Sequence, residues 1–87
     1  MKRRGAIEQV CGEVLRELRA CSGKTQETIA LDAGLDRTYI SMLERGLRQP
    51  TLETLLVLSV ALGVTASEIV AKVESRLNGL CPRPECN

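Results

Sequence analysis

Apolar side chains recur at three- and four-residue intervals through most of the chain, the period of helices with one buried face. Ile7, Val10, Cys11, Val14, Leu15 and Leu18 form a single stripe and predict a first helix over 6–20, with Glu13, Arg16 and Glu17 on its other sides. Thr25 is an N-cap residue for a short second helix over 26–33, whose inward positions are Ile29, Ala30 and Ala33. Gly34 follows the last turn, and Asp36 is placed to cap a third helix over 37–45 that buries Ile40 and Leu43 and stops at Gly46. After a loop over 47–50, Thr51 caps a fourth helix running to Gly63. Its Leu52, Leu55, Leu56, Leu58, Val60 and Leu62 are too many for a narrow stripe, so this helix is predicted to be the central, most buried one. Thr65 and Glu68 have the spacing of a capping box for a fifth helix, with Ala66, Ile69, Val70, Val73 and Leu77 on one side. The pattern fails after Asn78 and Gly79. The tail LCPRPECN holds two prolines and no period, so residues 80–87 read as extended or disordered and 1–79 as one all-α domain of five helices.

The second and third helices are short and joined by a tight glycine turn, the arrangement that lays a second helix in the major groove of duplex DNA. With Ile40 and Leu43 facing inward, the opposite face of the third helix carries Arg37, Thr38, Ser41, Met42 and Arg45. Arg37, Thr38, Ser41 and Met42 are the candidate base readers. The Arg37 guanidinium can donate two hydrogen bonds to guanine N7 and O6, Thr38 offers a hydroxyl and a methyl, and Met42 can pack on a thymine methyl. The alternatives are a phosphate contact for Arg37 and a solvent- or dimer-facing side chain for Met42. Arg45 and Arg48 fall where phosphates would lie. Tyr39, the single aromatic residue, is placed either to meet a phosphate through its hydroxyl or to pack over the end of the second helix. One aromatic ring makes no stacking platform, which argues against single-stranded nucleic acid.

Gln26, Ala30, Gly34, Ile40, Ser41, Leu43, Glu44 and Gly46 stand as they do in the Cro and phage-repressor helix-turn-helix family of the xenobiotic-response-element type. The chain resembles that family over about 12–73, through GEVLRELR, TQETIALDAGL, YISMLERG, PTLETLLVLSVALGV and SEIV. The resemblance implies a lambda-repressor-like domain whose helix-turn-helix is formed by helices 2 and 3. It further implies that Arg37 sits in the turn that reaches base edges and that Gln26 anchors the start of helix 2 to the DNA backbone. Arg19 and Glu44 match a family pair that bridges helix 1 to the end of helix 3 and orients it; the alternative is two independent surface charges. Family members often dimerise through the last helix, which makes Ile69, Val70, Val73 and Leu77 the expected dimer interface. The stretch DRTYIS with ERG also resembles controller proteins of restriction-modification systems.

Composition narrows the reading little. The 87 residues, 44% hydrophobic, support one small core. With 12 basic and 11 acidic side chains the net charge is only +1, so any attraction to nucleic acid rests on local clusters: Lys2, Arg3 and Arg4 at the start, and Arg37, Arg45 and Arg48 around the motif. No apolar run suits a membrane span or secretory signal, so a cytoplasmic location is expected. Cysteines 11 and 21 lie on or beside the first helix, roughly 15 Å apart by helical rise and too distant to share one ion. Cys81 and Cys86 flank two prolines, and the chain has no histidine. Reduced thiols, no metal and no cofactor are expected.

An enzyme is disfavoured because no histidine, glycine-rich phosphate loop or paired catalytic carboxylates occur. The expected function is a transcription regulator that binds a palindromic or pseudo-palindromic operator in double-stranded DNA as a homodimer. Autoregulation is expected, with no small-molecule ligand and no membrane partner. The competing class is a protein-interaction module, such as an antitoxin or coactivator subunit, on the same scaffold.

Overall fold

The computed structural model describes residues 4–78, which form five helices: α1 (Arg4–Ser22), α2 (Gln26–Ala33), α3 (Arg37–Glu44), α4 (Leu52–Leu62) and α5 (Ala66–Leu77). The tail over 80–87 with Cys81 and Cys86, and the basic residues Lys2 and Arg3, lie outside the described residues.

Local chemistry sets most boundaries. Thr25 and Thr51 each accept a hydrogen bond from the backbone N–H three residues on, at 3.1 Å, satisfying a donor that the helix start would leave unpaired. At α5 the box is reciprocal: Glu68 N donates to Thr65 Oγ1 at 3.1 Å, and Thr65 N donates to Glu68 Oε1 at 2.9 Å. Gly34 takes the left-handed conformation (φ 71°), which lets the chain leave α2 sharply enough to start α3 three residues later. Asp36 differs from expectation. It occupies the N-cap position in an extended conformation, but its carboxylate makes no cap hydrogen bond. The start of α3 is held instead by the burial of Ile40 and Leu43.

The core joins Cys11, Val14 and Leu15 of α1 to Ile29 and Ala30 of α2, Ile40 and Leu43 of α3, Leu58, Ala61 and Leu62 of α4, and Ile69 of α5. Helix α1 is the hub, packing against α3, α4 and α5, while α2 packs against α3 and α4. Helix α4 buries Thr54, Leu58, Ser59, Ala61 and Leu62, a larger share than any other helix, as its leucine content predicts, but not all of its leucines go inward. Leu52, Leu56 and Val60 are 69%, 51% and 79% exposed and recur every fourth residue, forming an apolar stripe on the outer surface. Its other sides pack against α1, α2 and α5 and supply Leu58, Ala61 and Leu62 to the core. Helix α5 is clasped to α1 by Arg76, which pairs with Glu17 and with Glu13 at 3.5 Å. No single helix among the described residues is long and apolar enough to cross a membrane.

Candidate nucleic-acid interface

Burial of Ile40 and Leu43 fixes the rotation of α3 about its axis and thereby decides which side chains it presents outward. Arg37, Thr38 and Arg45 are exposed, while Ser41 and Met42 are partly buried. Arg37 is the first residue of the helix, at the end where α3 begins. Arg45 sits just past the last turn, and Arg48 lies in the loop that follows. The Arg48 guanidinium carbon stands 5.9 Å from the centroid of the Tyr39 ring, at the outer range of a cation–π contact. Tyr39 is partly buried against the core. The structure therefore brings Tyr39 and Arg48 together, with the ring supporting the guanidinium.

Arg19 and Glu44 meet. Arg19 Nε donates to Glu44 Oε2 at 2.6 Å and Nη2 to Oε1 at 3.1 Å, a two-point pair between α1 and the last residue of α3. The Glu44 side chain is 5% exposed and that of Arg19 20%. The hydrogen bond to Glu44 raises the Arg19 guanidinium above its already high ordinary pKa. Two partners of this pair are not apparent from helical spacing. Arg19 Nη1 donates to the carbonyl of Lys24 at 3.0 Å, and Gln26 Nε2 donates to Glu44 Oε1 at 3.0 Å. The Arg19–Glu44 pair thus gathers α1, the α1–α2 loop, the start of α2 and the end of α3: the guanidinium holds the loop carbonyl and the carboxylate holds Gln26. Gln26, expected to anchor the start of helix 2 to the DNA backbone, has one amide hydrogen committed to Glu44; the other amide hydrogen and the backbone N–H groups of Gln26 and Glu27 are not used by the Thr25 cap. The signal for Lys24 is absent from the sequence because its backbone, not its side chain, takes part.

Of the residues expected at a dimer interface, Ile69 is fully enclosed in its own core, and Val73 packs partly against it. Leu77 is half-buried, and only Val70, at 46%, is well exposed. Ile69 therefore has no surface to offer a partner: the apolar side of α5 is spent in docking the helix on α1 and α4.

A family model described as helix-turn-helix matches residues 15–69. The chain belongs to the helix-turn-helix family. Within it, the chain is similar to the control protein C.BamHI of Bacillus amyloliquefaciens, with 37% identity over 65 residues, covering 74% of this chain and 80% of that one. Among solved structures it resembles the restriction-modification controller protein C.AhdI from Aeromonas hydrophila, with TM-score 0.71 and 42% identity over 74% of this chain and 97% of that chain. It also resembles the controller protein C.Esp1396I, solved as a tetramer in complex with its natural 35 base-pair operator (TM-score 0.68, 29% identity, covering 78% of this chain and 95% of that chain). The five-helix, lambda-repressor-like architecture is shared with these relatives. As a helix-turn-helix protein the chain is a sequence-specific DNA-binding transcription regulator, not an enzyme.

Proposed function

We propose that the protein acts as a homodimer on a palindromic or pseudo-palindromic operator in double-stranded DNA, including one in its own promoter. In this reading α3 lies in the major groove, with Arg37 and Thr38 reaching base edges from its first turn and Ser41 and Met42 supporting them. Arg45, Arg48 and Tyr39 meet phosphates along the flank. Gln26 meets a phosphate at the start of α2, where unpaired N–H groups and the positive end of the helix favour an anion. The observation that carries the proposal is the outward row of Arg37, Thr38 and Arg45 on a helix whose other end is locked by Glu44 to Arg19 and Gln26. A reading helix has to be both exposed and rigidly presented, and α3 is both.

A single short helix contacts only a few base pairs, so useful specificity calls for two copies about one DNA turn apart, roughly 34 Å. The exposed α4 stripe of Leu52, Leu56 and Val60 is the surface that supports self-association, with Val70 as the α5 contribution. The controller relatives support autoregulation, C.Esp1396I having been solved on its own natural operator. Selection of bound fragments from random DNA tests the whole reading. The expected product is a site with two-fold symmetry that also occurs upstream of the protein's own gene. Recovery of no enriched sequence, or of an asymmetric single half-site, would reject it.

A further inference from the structure

Gly12 lies in the middle of α1 and is buried, although glycine is a weaker helix former than alanine. Its place against α3 accounts for it. A Cβ at position 12 would stand 2.4 Å from the carbonyl oxygen of Leu43, 2.8 Å from that of Glu44 and 3.0 Å from the Glu44 carbonyl carbon. These are backbone atoms at the end of the reading helix and cannot swing aside as a side chain would. One turn earlier on α1, the Cα of Gln9 lies 3.1 Å from where Gly46 would carry a Cβ. Two turns later, on the same face, Arg19 holds the Glu44 carboxylate. Glu44 is therefore gripped at both ends, its backbone seated on Gly12 and its side chain tied to Arg19.

The geometry points to Gly12 as a positioning residue for DNA reading: the bare backbone at this position sets the height and tilt at which α1 presents α3. The inference rests on the DNA-reading function proposed above and deepens it. The three atoms nearest to a Cβ at Gly12 are all backbone atoms of Leu43 and Glu44, so its effect passes through the placement of α3. Ordinary contact begins at 3.4 Å, so a methyl group at position 12 displaces the Leu43 carbonyl by about 1 Å in a close-packed interior. Phosphate contacts by long arginine side chains absorb such a shift, whereas paired hydrogen bonds to a base edge do not.

The test compares duplex binding of the intact chain and its variants on the selected operator and on random duplex of equal length, at one salt concentration. Gly12→Ala is expected to lower operator affinity at least tenfold and random-duplex affinity less than twofold, with helical content and sedimentation unchanged. Val14→Ala, which thins the core away from this seat, is expected to lower the melting temperature while leaving the operator-to-random ratio intact. Gly46→Asn provides a second variant. Asparagine tolerates the left-handed backbone at position 46 (φ 76°), and its Cβ presses on Gln9 by only a few tenths of an ångström. It is expected to lower the ratio several-fold, and it decides the matter alone if Gly12→Ala does not fold. A folded Gly12→Ala or Gly46→Asn protein with the wild-type ratio would overturn the inference. Absence of any operator preference in the unsubstituted protein would instead reject the DNA-reading function itself.

Discussion

Gln26 Nε2 donates to Glu44 Oε1 at 3.0 Å, so the first residue of α2 is fastened to the last residue of α3. The ionised carboxylate can only accept, which obliges the amide to turn its nitrogen rather than its oxygen toward it. Arg19 supplies two more donors to the same group. The two helices of the helix-turn-helix are thereby held as one unit by a three-residue polar cluster. A buried carboxylate with three donors is well satisfied, but it is costly if one of them is removed.

Arg19→Ala is expected to lower stability by about 3 kcal/mol, the lower end for a broken buried pair, because Arg19 is one-fifth exposed and Gln26 still serves Glu44. Joint replacement as Arg19→Met with Glu44→Leu should recover part of that loss, since no unpaired charge remains. Chemical denaturation of the two single variants and the double variant measures the interaction. Additive effects each below about 1 kcal/mol would show that the pair contributes nothing in solution.

Under the proposed function, Arg37 and Arg48 separate base reading from phosphate attraction. Arg37→Ala should cost about 1 to 3 kcal/mol on the selected operator and flatten the preference at one base position per half-site. Arg48→Ala should weaken all duplexes alike and lower the salt dependence of binding by about one unit of log–log slope. Equal losses on operator and random duplex for Arg37→Ala would move it to the phosphate class.

The α4 stripe makes a sharp statement about self-association. Leu56→Asp or Val60→Asp should shift the protein from dimer to monomer in sedimentation while leaving helical content unchanged, because both side chains already face solvent. Operator affinity should fall by about 100-fold or more as the second half-site is lost. Ile69→Asp should instead unfold the domain, at a cost above about 4 kcal/mol, because its side chain is fully enclosed. A Val60→Asp, Leu56→Asp double variant that remains dimeric would remove this face from the assembly.

Thiol chemistry separates the two described cysteines. Burial pushes the Cys11 thiol above its ordinary range, whereas Cys21 is exposed. In a Cys81→Ser, Cys86→Ser background, Cys21 should react with a thiol reagent at the rate of a free cysteine and Cys11 only on unfolding. Because the folded state keeps the Cys11 proton to higher pH than the unfolded chain does, its contribution to stability is complete below about pH 9 and lost as pH rises further. Cys11→Ala should abolish that alkaline component. Equal labelling of both thiols in the native protein would contradict the packing of α1.

The caps were legible because they are local. Thr25, Thr51 and the Thr65–Glu68 box were placed correctly by a side-chain oxygen three residues from the N–H it serves. Ile40 and Leu43 were placed by the helical period alone. The period also put Arg37, Thr38 and Arg45 on the outward side of α3. On α4 it pointed to the most buried helix but not to which of its apolar residues, Leu52, Leu56 and Val60, stay outside, and the place of Ile69 on an apolar stripe did not say whether its own domain or a partner would cover it.

Five helices, the caps of α2, α4 and α5 and the rotation of α3 were readable from the chain alone, because those follow from backbone hydrogen bonding and side-chain periodicity within a few residues. Helix packing, by contrast, sets the sharing of Gln26 with Glu44, the bare apolar stripe of α4 and the seat of Gly12 against the end of α3. Each of these is a contact, or the lack of one, between residues distant in the chain. Its presence depends on how the helices cross, which no single helix encodes.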